Sequence, residues 1–338
     1  MLFSHSTLPN ATSPHPLACS RLRFSASSRL LSATATSSNV SAARFKMSSD
    51  SLPPLPESRI VLGCGGISVD FLAAVAAYPK PDDKIRSTSL KVQGGGNAGN
   101  AMTCAARLGL NPRIISKIAD DSQGRSILEE LEADGVNTSF LVVSKDGNSP
   151  FTYIIVDSQT KTRTCIHTPG YPPTVVHDLS QSSLLSALDG VRIVYSDGRL
   201  PEVALVVAQE ACHKNIPILV DAERKREGLD DLLKLASYVV CSANFPQSFT
   251  KLRANGIGTI NGRLFVGTVE KIPPPELVDT TGAGDAFIGA VLYAICADMP
   301  PEKMLPFAAQ VAAASCRALG ARTGIPHRSD PRLAPFLD

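Results

Sequence analysis

The sequence predicts an α/β fold: a central, mostly parallel sheet covered on both faces, with a small β-sheet standing off it as a lid. Three observations carry this. Apolar strands alternate with helical segments from Ile60 onward, the rhythm of repeated strand–helix–strand units. Two segments, 84–92 (KIRSTSLKV) and 151–167 (FTYIIVDSQTKTRTCIH), break that rhythm. They alternate polar and apolar residues with period two, as half-exposed antiparallel strands do. Two glycine clusters each run straight into a helix, where a ligand pocket of such folds is built.

Taken in order, residues 59–66 (RIVLGCGG) carry an apolar strand into a glycine turn. Residues 99–110 (GNAMTCAARLGL) read as a small-residue helix, and 112–118 as a strand. Helical spacing resumes over 121–134, with Gly135 as the stop. Further strands are expected at 191–195, 216–221 and 238–241, with helices at 201–213 and 229–235 between them. The lid strands fall at about 84–93 and 150–168, the second pair as a hairpin turning at 158–161. The apolar run 288–297 reads as a helix.

Composition narrows the function classes. The 338 residues hold 33 Lys+Arg against 31 Asp+Glu, with 43% hydrophobic residues and no Trp. Near-zero charge provides no electrostatic footprint for a nucleic-acid partner. No window approaches the ~18 to 20 consecutive apolar residues of a membrane span. The eight cysteines are scattered singly, without a CxxC, which argues against a zinc site or a disulfide scaffold and fits a reducing compartment.

The first fifty residues differ from the rest. From Met1 to Ser49 there is no Asp or Glu, but thirteen Ser, four Thr and five basic residues. That composition is expected of an organelle transit peptide, and the Ser/Thr excess leans toward the plastid over the mitochondrion or cytosol. We divide the chain into a disordered leader at 1–46 and one folded domain at 47–338. Met47 offers an alternative start for a cytosolic form. Removing the leader leaves 28 basic and 31 acidic residues, a body of about −3.

The chemistry concentrates in the glycine clusters. In the first, 93–100 (QGGGNAGN), the glycines permit close backbone approach and the helix start is expected to offer free N–H donors. Asn97 and Asn100 suit a neutral polyol, and Asp70 is placed to accept from sugar hydroxyls. In the second, 278–287 (VDTTGAGDAF), Gly282, Ala283 and Gly284 set successive backbone N–H groups at a helix start, a nest for anionic oxygens. Asp285, just inside that helix, is positioned to take a proton from an attacking hydroxyl. Taken alone, it is equally a carboxylate resting on the helix dipole. His167, His177 and His213 show no metal-ligand spacing and read as surface or structural. Phe151 and Tyr153 read as lid packing, and Cys104 and Cys316 as buried small side chains.

DTTGAGDAF at 279–287, with GGGNAGN upstream, resembles the two signatures of the pfkB/ribokinase family of sugar kinases, over nearly all of 60–325. The branch it most resembles is the ketohexokinases. Asn97 (where ribokinases carry Lys), the Thr-Arg-Thr at 162–164, Asp197-Gly-Arg199 and the run 221–227 (DAERKRE) carry that likeness. The resemblance implies a ribokinase-like three-layer sandwich with a β-lid, a homodimer through the lids, and ATP with Mg²⁺, with K⁺ as a possible companion. It implies Asp285 as catalytic base and Gly282, Ala283 and Gly284 as the anion hole. Asp70, Gly95, Gly96, Asn97 and Asn100 would hold the sugar, with Arg163 reaching the phosphate. Gln310, Ala313 and Cys316 would line the adenine side, and Asp279 would help place a monovalent cation.

One departure stands out. After Asn244 the family pattern continues through a helix, a buried strand and a glycine-bearing nucleotide loop. Only 245–262 separates that point from the next apolar segment at Arg263. Eighteen residues with Pro246, Asn255-Gly256 and Asn261-Gly262 do not hold both a helix and a core strand, so a helix–strand–loop unit is expected to be missing. The Glu that many members carry three residues after the Asn is Gln247 here. The leading expectation is ATP-dependent phosphorylation of a small ketohexose or pentose. Two alternatives remain: a kinase-like scaffold of plastids with weakened catalysis, and a nucleoside kinase.

Overall fold

In a computed structural model, the described residues are 2–7, 52–242 and 261–337. The body begins with β2 (Ile60–Cys64; β1 is Leu2–Thr7), followed by β3 (Ser68–Val75), β4 (Ser89–Gly95), α1 (Asn97–Arg107), β5 (Asn111–Ala119), α2 (Ser122–Ala133) and β6 (Leu141–Ser144). Next come β7 (Phe151–Asp157), β8 (Arg163–Thr168), α3 (Gln181–Leu188), β9 (Ile193–Ser196), α4 (Pro201–His213), β10 (Ile218–Asp221), α5 (Leu229–Leu235) and β11 (Tyr238–Cys241). The chain closes with β12 (Asn261–Val266), α6 (Ala283–Cys296), α7 (Pro301–Ser315) and α8 (Ala334–Leu337).

Six parallel strands in the order β11–β10–β9–β2–β5–β6 form the central sheet. Their residues are apolar on both sides because both faces are covered. In adjacent registers Val61 and Ile193 turn to the layer of α1, α6 and α7, while Leu62 and Val194 turn to the layer of α3, α4 and α5. All four are at most 2% exposed, which makes the three-layer sandwich a direct consequence of period-two alternation between two apolar surfaces. Beyond β11 the backbone of β1 pairs antiparallel with both β11 and β12. The rest of the expected leader, 8–46, and most of the expected gap, 245–260, lie outside the described residues. Among the described residues, no helix is long and apolar enough to cross a membrane.

The lid is a separate sheet in the order β4–β3–β7–β8. The sequence reading placed its strands at about 84–93 and 150–168; the first begins only at Ser89, and the reading missed β3. The small residues of SVDFLAAV masked a strand whose partners on both sides supply the pairing. The chain leaves β2 at its carboxyl end, makes β3 and β4, and returns through Gly94-Gly95-Gly96 into α1. That excursion hangs the lid over the carboxyl ends of the parallel strands, where doubly wound sheets bind ligands.

Register divides the lid into two faces. Gln93, Asp70, Thr152 and His167 are cross-strand neighbours in one row, with Lys91, Leu72, Ile154 and Cys165 in the next. The opposite face carries Val92, Phe71, Tyr153 and Ile166 in a row. Phe71, Phe151 and Tyr153 pack with ring centroids 5.3 to 6.0 Å apart, in keeping with the expected lid packing.

Candidate active site

The second glycine cluster shapes the entry to α6. Gly282 caps the helix with φ +73°, and a Cβ there would lie 2.5 Å from the Ala321 side chain, so only glycine suits the position. Buried Asp279 holds the loop before it: Oδ1 accepts from the backbone N–H (2.9 Å) and hydroxyl (2.7 Å) of Thr281, and Oδ2 from the Gly320 N–H at 2.9 Å. The Ala283 N–H turns back to the Thr280 carbonyl. The N–H groups of Gly282, Gly284 and Asp285 have no backbone acceptor among the described residues. They constitute a nest with the polarity an anion requires.

Asp285 lies in the first turn of α6, buried, and Asn100 Nδ2 of α1 donates to its Oδ2 at 2.8 Å. Burial is the main cause that raises its pKa, to about 7; the Asn100 hydrogen bond lowers it, while the carboxylates of Asp197 and Glu223 raise it further. Such a group changes ionisation near neutrality, where a general base is most effective.

The first cluster differs from its expectation in one respect. Most of the helix start is not free: the Gly66 carbonyl accepts from Ala98 and Gly99, and the Gly96 carbonyl from Asn100. Ligand contacts here therefore fall chiefly to side chains. Asn97 Oδ1 accepts from Arg199 Nη2 at 3.1 Å. Asn100 is engaged on both sides, its Oδ1 accepting from Arg322 Nε at 3.0 Å. Gly95 is bare because the Asp70 carboxyl lies over it; a Cβ would meet that group at 2.2 Å. Asp70, only 4% exposed, accepts from Ser68 Oγ at 3.0 Å, and burial raises its pKa to about 6. Gly96 joins these groups at the turn into α1.

From the lid, Arg163 Nη1 on β8 donates to Thr280 Oγ1 at 3.0 Å, which brings it to the anion loop. Cys316, buried at the end of α7, offers its carbonyl to the N–H groups of Val278 and Asp279. Ala313 is buried and Gln310 half-buried on α7. Cys104, also buried, donates its thiol to the Ala286 carbonyl at 3.3 Å.

Five groups escaped the sequence reading as site residues. Thr152 and His167 share the lid row of Asp70, with Thr152 Oγ1 and His167 Nδ1 3.1 Å apart. Burial, reinforced by Arg199, holds the His167 pKa below its usual value. Buried Asp197, after β9, accepts from the N–H groups of Gly66 (2.7 Å) and Arg199 (2.9 Å). Arg199 also pairs with Glu223 at 3.5 Å. Arg322 completes the set. Asp197 and Arg199 could have been found from their place at a strand's carboxyl end; His167 and Thr152 needed the strand register. Among the described residues no three His, Cys, Asp or Glu side chains converge to hold a metal.

The profile of the pfkB family carbohydrate kinases matches residues 62–244 and 260–328. The chain is 26% identical to ribokinase from Bacillus subtilis strain 168, over 79% of this chain and 96% of that one. It is 24% identical to mouse ketohexokinase, over 78% and 98%. Among solved structures, a putative ribokinase II from E. coli in complex with ATP and Mg²⁺ superposes with a TM-score of 0.67 at 16% identity, covering 82% of this chain and 98% of that one.

Proposed function

The chain belongs to the pfkB family of carbohydrate kinases, and from that membership we propose that it transfers the γ-phosphoryl group of ATP to a hydroxyl of a small ketose or pentose, with Asp285 as general base. The observation that carries the reading is the convergence of the two glycine motifs: Asn100 of the first donates to Asp285 of the second, beneath the Gly282 nest.

In this reading the sugar lies between the lid row of Asp70, Thr152 and His167 and the side chains of Asn97 and Arg199. Its hydroxyl oxygen attacks the γ-phosphorus, the hydroxyl proton passes to the Asp285 carboxylate, and the bond to the β-phosphate oxygen breaks, releasing ADP. The nest of the Gly282, Gly284 and Asp285 N–H groups stabilises charge on the transferring group; Ala283, expected in it, instead donates to the Thr280 carbonyl. Arg163, already at Thr280, adds a guanidinium from above. Mg²⁺, when bound, neutralises phosphate charge. The absence of a carboxylate cage among the described residues suits an ion that arrives on the nucleotide and keeps most of its waters. Asp279 already accepts three hydrogen bonds, so a K⁺ beside it would draw chiefly on backbone carbonyls. Ala313, Cys316 and Gln310 are assigned to the adenine side.

The outer lid face supports a homodimer. Leu90, Val92, Tyr153 and Ile166 are each more than half exposed, and register gathers the last three with Phe71 into one apolar row. A second copy offering the same row would cover it isologously.

The test is ADP release from ATP with ribose, ketohexoses and nucleosides as separate acceptors, with Asp285→Asn as control. Sugar-dependent release lost in the control supports the reading. A nucleoside-only response assigns a different substrate class, and no acceptor-dependent release favours the scaffold alternative.

A further inference from the structure

We propose that Arg322 is a positioning residue: by fixing the amide of Asn100 it makes Asn100 donate to Asp285, and so sets the ionisation of the base. This rests on the reading of Asp285 as general base. Arg322 lies in the loop after α7, with its side chain only 3% exposed. Nε donates to Asn100 Oδ1 at 3.0 Å, Nη2 donates to the Gly95 carbonyl at 3.0 Å, and Nη1 faces Glu130 Oε2 of α2 at 3.8 Å. Glu130 Oε2 in turn accepts from the Gly94 N–H at 2.6 Å. Hydrogen bonds to α1 and β4 fix the plane of the guanidinium, and the Glu130 carboxylate of α2 balances its charge from 3.8 Å.

Two glycines of the first cluster are empty for its sake. A Cβ on Gly94 would come within 2.3 Å of Nη1, and one on Gly99 within 2.5 Å of Nη2. Part of what looks in sequence like a ligand-cradling run is thus a socket for an arginine 222 residues from Asn100.

The chemistry follows from the donor inventory. An Asn side chain has one acceptor end and one donor end, and rotation by 180° exchanges them. Guanidinium has donors only, so it selects the Oδ1 end, and the Nδ2 end must then face Asp285. With the amide reversed, Oδ1 would oppose the carboxylate and favour its protonated form. The other groups around Asp285 are Asp197 beyond β9, Asp221 and Glu223 at the end of β10, Tyr195 on β9, Cys104 on α1, and Arg199. Apart from Arg199, none supplies a positive charge. The Asn100 N–H is the side-chain hydrogen bond that holds the carboxylate form.

The experiment reads the Asp285 carboxyl directly, by ¹³C NMR titration of Asp-labelled protein, with the signal assigned through Asp285→Asn. The variants are Arg322→Met, Arg322→Lys, Gly99→Ala and Asn100→Ala. Arg322→Met and Gly99→Ala are expected to raise the titration midpoint by half a unit or more, about a threefold change in the acid dissociation constant. Arg322→Lys keeps a head with donors only and is expected to shift less than Arg322→Met. Adding Arg322→Met to Asn100→Ala is expected to change nothing further. Unchanged midpoints in Arg322→Met and Gly99→Ala would overturn the proposal, as would a shift on adding Arg322→Met to Asn100→Ala, which would reduce the effect to bulk charge. If Arg322→Met does not fold, Gly99→Ala decides, since it displaces the guanidinium without deleting it. Full turnover by Asp285→Asn would remove the general-base reading, while the titration still judges the relay.

Discussion

Arg163 Nη1 and Thr280 Oγ1 are 3.0 Å apart although 117 residues separate them, which closes the lid hairpin onto the loop that leads into Asp285. The contact joins a side chain from the small sheet to the anion nest of the large domain, and it is exposed. Its consequence should therefore be catalytic and not structural.

Arg163→Ala is expected to lower kcat/KM about 10- to 100-fold, the scale of one charge-assisted contact of roughly 1.5 to 3 kcal/mol, and to leave the melting temperature within a degree of wild type. Steady-state ADP release and a thermal melt check this. A large drop in melting temperature with catalysis intact would assign the contact to stability.

Asp285→Asn is expected to reduce kcat by roughly 10² to 10⁴, the range for a lost general base, with little change in the sugar dissociation constant. Isothermal titration of the sugar alongside turnover separates the two. Loss of binding with kcat preserved would place Asp285 in recognition.

The pH dependence has a definite sign. Burial raises the Asp285 pKa from 3.8 to about 7, so turnover should climb through an acid limb near neutrality as the base ionises. Stability runs the other way. A carboxyl with a raised folded pKa contributes stability that is fully present below the unfolded value and lost as pH rises from about 4 through about 7. Asp285→Asn removes that loss. The variant should melt several degrees above wild type at pH 8, at about 2 to 4 °C per kcal/mol for a domain of this size, and converge with it near pH 4. A variant that melts lower at pH 8 would contradict the burial argument.

Tyr153→Glu is expected to convert a dimer into a monomer by placing a charge in the middle of the outer lid row, whose Val92 and Ile166 are also exposed. Light scattering after gel filtration measures it. A monomeric wild-type chain, or a dimer insensitive to the substitution, would rule out the lid interface.

Restoring a segment of family length after Asn244 is expected to tighten ATP at least tenfold, about 1.4 kcal/mol, and to raise the melting temperature. Nucleotide titration and melts of both forms decide it. Equal values would show that 245–262 is a sound short connection.

The elements and the two motifs were legible in the sequence because their causes are local. Apolar runs and a Gly stop at Gly135 depend on neighbours within a few positions, and α4, α5 and β11 fall where the pattern puts them. Asp285 and Gly282 were legible for the same reason: a helix start and a left-handed glycine are properties of a short stretch. The lid was half legible, since β3 is held by partners on both sides more than by its own composition. What the sequence could not reveal is which side chains share one space. It assigned Asn100 to the sugar but gave no sign that folding sets Asn100 between Arg322 and Asp285, with a partner at each end of its amide. It read Gly94 and Gly99 as room for a ligand, whereas the room belongs to a guanidinium. His167 looked structural until strand register set it beside Thr152 and Asp70. Composition and periodicity report the burial of a segment; hydrogen-bond partners, and the ionisation they impose on a buried carboxyl, are decided only when chain segments hundreds of residues apart pack into one low-dielectric site.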